Sequence, residues 1–142
     1  MPTPLVTIAC ITYNHAPFIE QCLEGFLMQK VDFDYEIVIH DDASTDGTQE
    51  ILKRYKDQYP DKIKLILRAF NLYSLGVTKI FYHGIIKHSK GKYIASCEGD
   101  DYWIDEYKLQ KQIDFLEAND DYNFSCGRIK IYDQAKDSLS EK

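Results

Sequence analysis

The sequence predicts an α/β fold: a doubly wound, mainly parallel sheet flanked by helices. Apolar, β-rich runs alternate with longer segments whose apolar residues recur at helical spacing, an order typical of parallel sheets. Three of the strand-like runs end in polar clusters, TYN, HDDAS and EGDD. A chain of 142 residues is long enough to bury one core, so we expect one domain.

Strands are predicted where apolar and β-branched residues run continuously, which is typical of strands buried on both faces. The first run, LVTIACITYN, is the clearest, and KYIASCEGD joins a similar apolar run to an acidic end. In chain order, the strands are expected at residues 5–14, 35–44, 62–70, 92–100 and 123–133.

Helices are predicted where apolar residues recur every three or four positions. Asp46 or Thr45 can cap the second helix, with Gln49 as the capping-box partner of Asp46, and the helix stops at Pro60. The third helix is expected to end at Gly91. In chain order, the helices are expected at residues 16–30, 48–59, 78–90 and 105–119.

Composition narrows the possible partners and the location. The net charge of −6 makes nucleic acid an unexpected partner. No apolar run approaches the ~18 residues of a transmembrane segment, and the N-terminus lacks a secretory pattern. The four cysteines show neither a CxxC pair nor metal-ligand spacing, so reduced thiols are expected. The expected location is the cytoplasm, with the inner face of the membrane as an alternative.

The polar clusters are expected to form one site. Ligands of open α/β sheets bind outside the carboxyl ends of the strands, where TYN, HDDAS and EGDD would lie. In HDDASTDGT, Asp41 or Asp42 can accept a hydrogen bond from a nucleobase or a ribose. Alternatively, Asp42, Ser44 and Asp46 cap the helix and shape the turn, with Gly47 relieving the backbone.

The EGDD cluster suits a divalent cation. Oxygen ligands in a compact acidic turn fit Mg²⁺ or Mn²⁺, which also takes oxygens from substrate phosphates. The alternative is a solvated acidic turn before a helix, because acids are favoured at helix N-termini. Three acids at one strand end, Glu98, Asp100 and Asp101, favour the metal.

Together, the blocks VTIACITYN, EIVIHDDASTDGT and GKYIASCEGDDYW resemble family 2 glycosyltransferases of the GT-A fold, a Rossmann-like architecture, over residues 5–117. Full family members are considerably longer. The resemblance therefore implies that residues 1–142 are the N-terminal nucleotide-sugar-binding portion of a truncated GT-A domain, and residues 134–142 are expected to be a frayed tail.

The resemblance also implies roles for individual residues. The turn of Thr12, Tyr13 and Asn14 would line the nucleotide pocket, and Asp42, with Asp41 beside it, would contact the base. The acidic block would hold the ribose and a metal-bound diphosphate, with Asp100 as first and Asp101 as second metal ligand. The implied nucleotide-binding set is Thr12, Tyr13, Asn14, Asp41, Asp42, Glu98 and Asp100.

Two positions depart from the family pattern. Glu98 stands where an Asp is common, and its longer side chain can still reach a ribose. Phe81 and Tyr82 occupy positions at which many relatives have Arg-Asn. Arg68 or Lys79 would then have to supply the cationic contact to the nucleotide.

The implied reaction is metal-assisted transfer of a sugar from a nucleoside-diphosphate sugar to a hydroxyl of a saccharide or lipid-linked acceptor, with inversion, in polysaccharide biosynthesis. The general base of the family would lie beyond this chain, and Asp120 and Asp121 match no base motif. The alternative is a truncated nucleotide-binding module without turnover. A phospho-acceptor signalling domain is disfavoured, because KLILRAF ends without an acid.

Two histidines and two aromatic residues near these blocks are interpreted separately. His15 contacts the nucleotide or lies in an exposed loop, and His40 is expected to be a satisfied histidine of the core or rim. Tyr102 and Trp103 either form a wall on the acceptor side or close the core.

Overall fold

The computed structural model describes residues 3–141 and contains a four-stranded parallel sheet. Each strand begins within two residues of a predicted run, except that the fifth run does not join this sheet. The strands lie in the order β3-β2-β1-β4. Their bounds are Val6–Thr12 for β1, Tyr35–Asp41 for β2, Ile63–Leu67 for β3 and Tyr93–Glu98 for β4. The parallel pairing confirms the predicted fold class.

Three long helices and one short one accompany the sheet. Among residues 3–141, no helix is both long and apolar enough to span a membrane. The helices are α1 at Ile19–Leu27, α2 at Thr48–Gln58, α3 at Ile80–Gly84 and α4 at Lys108–Ala118, with a 3₁₀ turn at Ile86–His88.

The third predicted helix, 78–90, is wrong as a single element, because it breaks after Gly84. A Cβ on Gly84 would lie 2.6 Å from the His40 ring, so the chain passes very close to β2 at this point. The next residue, Ile85, is fully buried against Ala9 and Val38. The helix therefore breaks because this allows Ile85 to be buried against the sheet. Tertiary packing commonly overrides local helix propensity in this way.

The sheet is covered unequally on its two faces. On one face, residues of α1, α2 and α4 pack on alternate strand residues such as Ile8 and Ile37, which form the main core. On the other face, Ala9, Val38 and Ile85 form a small buried cluster, with Ile11 and Ile66 packed against it. Since successive strand residues point to opposite faces, the continuous apolar runs fill both layers.

The fifth predicted strand forms a separate hairpin. Strand β5, Lys130–Asp133, pairs antiparallel with β6, Ser138–Glu141, in a two-stranded sheet. The expectation of a frayed tail over 134–142 is therefore wrong for 138–141, and Lys142 lies outside the described residues. The Asp133 carboxylate accepts the backbone N–H of Ala135 at 3.0 Å, which stabilises the turn. Closing so short a turn costs less chain entropy than a parallel crossover.

We predict that Gly91→Ala destabilises the fold. A Cβ at this position would lie 2.4 Å from the backbone nitrogen of Thr7 and 2.6 Å from the carbonyl carbon of Val6, so β1 itself would have to move. The free energy of unfolding from urea denaturation should fall by about 2–3 kcal/mol.

Gly127→Ala is the matched control, because a Cβ there meets nothing within 4 Å. Its effect should stay within about 0.5 kcal/mol. Equal losses in the two variants would contradict close packing of Gly91 on β1.

Candidate functional site

The turns after β1 and β2 are joined by two hydrogen bonds at Asn14. Its backbone N–H donates to Ser44 Oγ at 2.8 Å, and its Oδ1 accepts the Thr45 N–H at 2.8 Å. Asn14 has φ 52°, a left-handed conformation in which Asn is enriched. The predicted TYN turn is therefore shaped by an asparagine that holds the second turn beside it.

The turn after β4 approaches the first turn closely through Gly99. Its N–H donates to the Ile11 carbonyl at 3.0 Å. A Cβ on Gly99 would lie 2.6 Å from Thr12 Oγ1 and 2.9 Å from His15 Nδ1. Sequence reasoning missed Gly99, although a glycine between acids directly after a strand is a signal of close backbone approach.

His15 lies between the first turn and the acidic turn. Its Nδ1 is 3.1 Å from Thr12 Oγ1, and its Nε2 is 3.8 Å from Asp100 Oδ2. Its backbone N–H donates to Thr48 Oγ1 at 3.0 Å. The His15 side chain is 22% exposed, which disfavours the exposed-loop interpretation, and its contact with a nucleotide stays a prediction.

Asp41 is fully buried and holds the second turn closed. Its Oδ1 accepts the Ser44 N–H at 3.0 Å and a bond from Gln49 Nε2, and its Oδ2 accepts the Ser44 hydroxyl. Gln49 is therefore not the capping-box partner of Asp46, which corrects the sequence prediction. A buried carboxylate needs such donors, because its desolvation is otherwise uncompensated.

Asp42 is also buried and anchors a distant loop. Its Oδ1 accepts the Leu72 N–H at 2.7 Å, and its Oδ2 accepts the Tyr73 N–H at 3.0 Å. Asn71 Nδ2 donates to the Asp42 carbonyl at 3.1 Å. Both acids of HDDAS thus organise the protein, and a direct nucleotide contact by Asp41 or Asp42 stays a prediction.

The start of α2 is fixed by Asp46. Its carboxylate accepts the backbone N–H groups of Ala16 at 3.0 Å and Thr48 at 3.1 Å. Burial alone would raise the pKa of Asp46, but the hydrogen bonds from Thr48 and Ala16 outweigh it and lower the pKa below its usual value. Neither Asp46 nor Thr45 is the N-cap of α2, because Gly47 occupies that position. Asp46 instead shapes the turn before the helix and accepts the N–H of Thr48, the first helical residue.

Tyr13 and the three acids at and after the end of β4 are the predicted site residues that the structure leaves exposed. Tyr13 is 45% exposed, and the side chain of Asp100 is 47% exposed. Glu98 and Asp101 are exposed as well. Asp101 donates its backbone N–H to the Glu98 carbonyl at 3.1 Å, which curls the acidic turn back on the strand end.

The acidic turn fits a divalent cation only in part. Within residues 3–141, no group of three or more His, Cys, Asp or Glu side chains is placed to hold a metal. Asp100 and Asp101 offer exposed carboxylates, the oxygen ligands that Mg²⁺ and Mn²⁺ prefer. Because Mg²⁺ usually binds through one or two carboxylates plus substrate phosphates, this pair suits an ion bound together with a diphosphate.

Arg68, one candidate for a cationic contact, is turned toward His40. Its Nε–H donates to His40 Nε2 at 3.0 Å, and His40 is fully buried. Burial, and then the Arg68 charge, lowers the pKa of His40. His40 is a core histidine as expected, but its Nδ1 has no hydrogen-bond partner in the described part of the chain, so it is not fully satisfied.

Trp103 belongs to the core. Its ring meets Phe26 edge to face, with ring centroids 4.9 Å apart. A Cβ on Gly25 would lie 2.9 Å from the Trp103 backbone nitrogen, and Lys108 Nζ lies 4.3 Å from the ring centroid. The structure therefore favours the core interpretation for Trp103, and Tyr102 lies half-buried next to it.

The chain is similar to known glycosyltransferases. The sequence model of the family described as Glycosyl transferase family 2 matches residues 7–139. The "Uncharacterized protein Rv1520" of Mycobacterium tuberculosis is 39% identical over 135 residues, covering 94% of this chain and 38% of that protein. A second relative is the Escherichia coli protein named "UDP-Glc:alpha-D-GlcNAc-diphosphoundecaprenol beta-1,3-glucosyltransferase WfaP", 36% identical over 114 residues, 80% of this chain and 42% of WfaP.

Two solved structures have the same fold. Staphylococcus aureus TarS 1–349, in complex with UDP, aligns with TM-score 0.66 and 27% identity, covering 80% of this chain and 32% of that one. Mannosyltransferase PcManGT from Pyrobaculum calidifontis, in complex with GDP-Man and Mn²⁺, aligns with TM-score 0.67 and 27% identity, covering 82% and 33%. Both are GT-A glycosyltransferases, which confirms the predicted GT-A fold. The chain thus spans well under half of these relatives.

We predict that Ala43→Gly stabilises the protein. Ala43 has φ 67°, where a Cβ is close to the following carbonyl oxygen. Removing the Cβ relieves this contact in the folded state, whereas the greater backbone freedom of glycine stabilises the unfolded chain. The difference between the two effects should raise the free energy of unfolding by about 0.5–1 kcal/mol.

The reverse change, Gly47→Ala, tests the same cause, because Gly47 has φ 102° and open space around it. It should lower the free energy of unfolding in the same urea titration. A destabilised Ala43→Gly variant would contradict a strained turn.

Proposed function

Because this chain belongs to glycosyl transferase family 2, we propose that it binds the donor in sugar transfer from a nucleoside-diphosphate sugar to an acceptor hydroxyl. The observation that carries this proposal is the convergence of three turns at the carboxyl ends of β1, β2 and β4. Asn14 joins the first two turns, and Gly99 brings the third against Thr12. Ligands of open α/β sheets bind at this edge.

In the proposed complex, the nucleoside lies against the first two turns. Tyr13 is exposed beside Thr12 and Asn14 and offers a ring to the base. Asp41 and Asp42 act chiefly by fixing the turns, since their carboxylates are occupied by protein donors. Glu98 is exposed at the end of β4 and can accept a ribose hydroxyl.

The diphosphate is proposed to lie at Asp100 and Asp101. An anionic diphosphate and two exposed carboxylates repel one another unless a cation lies between them. We therefore assign Mg²⁺ or Mn²⁺ to this position, with Asp100 as first and Asp101 as second ligand. The ion, when bound, supplies charge neutralisation for the departing diphosphate. PcManGT was solved in complex with Mn²⁺ as well as GDP-Man, which supports this choice.

Transfer is proposed to proceed by direct displacement with inversion, as the family resemblance implies. Such a displacement requires a carboxylate that deprotonates the acceptor hydroxyl, and no residue of this chain is assigned that role. TarS was solved with UDP and PcManGT with GDP-Man, so either base is compatible with this fold. The name of WfaP supports a lipid-linked acceptor. We also propose that the protein acts in polysaccharide biosynthesis and that it is located in the cytoplasm.

We predict metal-dependent stabilisation of the chain by a nucleoside diphosphate. With Mn²⁺ present, UDP or GDP should raise the midpoint temperature of thermal unfolding. At a ligand concentration a hundred times Kd, the free energy of unfolding should increase by about 2.7 kcal/mol. Asp100→Ala should abolish the metal-dependent part, because it removes the first ligand, and Asp101→Ala should reduce it.

Asp57→Ala is the control, because it removes an equal charge from an exposed residue near the end of α2. It should retain the full shift. Stabilisation that persists in Asp100→Ala would refute the metal assignment, and no shift with either nucleotide would refute donor binding. Measuring sugar release from UDP- and GDP-sugars by the same chain distinguishes turnover from binding alone.

A further inference from the structure

The charges of this acidic protein are segregated along the chain. Residues 62–97 contain seven Lys or Arg and no Asp or Glu, so all 23 acidic residues lie elsewhere. Three of these cations are engaged with other side chains: Lys62 lies over the Tyr35 ring at 3.8 Å, Lys92 pairs with Glu117 at 2.6 Å, and Arg68 donates to His40 at 3.0 Å. The remaining four, Lys64, Lys79, Lys87 and Lys90, keep the segment basic in a protein of net charge −6.

This basic segment covers the thinly packed face of the sheet. Lys64 pairs in register with Val38, and neighbours in register point to the same face. Lys64 Nζ also approaches the His88 carbonyl at 3.4 Å, and the Gly91 N–H donates to Thr7 Oγ1 at 3.0 Å. The residues that follow α3 and the start of β3 therefore lie on one face, opposite the three long helices. This face also holds Glu36, whose carboxylate accepts the Lys90 N–H at 2.6 Å.

Large apolar side chains are exposed on the same segment. Phe70 is 74% exposed, Tyr73 80% and Leu75 69%, in the loop between β3 and α3. The loop is ordered at its base, because Asp42 accepts the N–H groups of residues 72 and 73. It therefore projects from the edge of the sheet that carries the candidate site.

We define the basic aromatic face as Lys64, Lys79, Lys87, Lys90, Phe70, Tyr73 and Leu75, and we propose that it docks on a bilayer that contains anionic phospholipids. Lysines near a membrane surface attract anionic headgroups, and exposed aromatic and leucine side chains insert at the boundary with the acyl chains. Glu36, which lies on this face, already accepts the Thr7 hydroxyl and the Lys90 N–H. The more distant acids of the molecule would be repelled by the bilayer, so the attraction also orients the protein.

The composition of the face favours a bilayer over a protein partner. Lysine is depleted in the cores of protein interfaces, whereas lysines interspersed with aromatic residues are typical of membrane-surface segments. Docking here would bring the donor site to the membrane, next to a lipid-linked acceptor. Docking itself depends on the charge and exposure of this face and not on sugar transfer.

The test is co-sedimentation with phosphatidylcholine vesicles that contain or lack phosphatidylglycerol. The protein should bind only the anionic vesicles. The variant K79Q/K87Q/K90Q should bind about a hundredfold more weakly, because each surface lysine contributes roughly fivefold. F70S/Y73S should also weaken binding, since it removes the inserted rings while leaving the charge unchanged.

The matched control is K30Q/K53Q/K111Q, which removes the same charge from the side of the long helices. It should bind as the unmodified protein does. Equal loss in this control, unchanged binding of K79Q/K87Q/K90Q, or no vesicle binding at all would overturn the proposal. Binding to polyphosphate or RNA in the absence of vesicle binding would also overturn it. The nucleotide-dependent thermal shift of each variant reports separately on folding and on the donor site.

Discussion

Two buried carboxylates at the end of β2 hold the site-bearing edge of the sheet together. Asp41 fixes Ser44, whose hydroxyl in turn accepts the N–H of Asn14 from the neighbouring turn. Asp42 fixes the loop at residues 72 and 73. A buried donor left without its acceptor costs about 1–3 kcal/mol, so the rim depends on both acids for its shape. Asp41 and Asp42 fix the turns, so the exposed side chains of Tyr13, Asp100 and Asp101 remain available to bind a ligand.

Most of the main sheet was predictable from the sequence, because continuous apolar runs such as LVTIACITYN are compatible with few structures other than a doubly buried strand. The break at Gly84 was not, since it depends on the contact between Gly84 and the His40 ring. The hairpin of β5 and β6 was not either. An apolar run carries no information on whether it pairs with a distant strand or with its own neighbour.

The place of the site was predictable for a simple reason: parallel strands bring their carboxyl ends to one edge. The division of roles among its acids was not predictable, because Asp41, Asp42, Asp100 and Asp101 are the same residue type in similar turns. Only the structure shows that the first pair is buried and the second exposed. The approach of Gly99 to His15 likewise depends on two turns 84 residues apart in the chain.

Nuclear magnetic resonance titration with UDP and Mg²⁺ tests most directly whether the three turns form one nucleotide site. In the ¹H–¹⁵N spectrum, the largest shifts should fall on residues 12–15, 43–46 and 99–101, while the hairpin at 130–141 should not change. Perturbations confined to one turn would contradict the account. So would shifts centred on the groove lined by Phe115, Tyr122 and Phe124, since that groove lies away from the carboxyl ends of the strands.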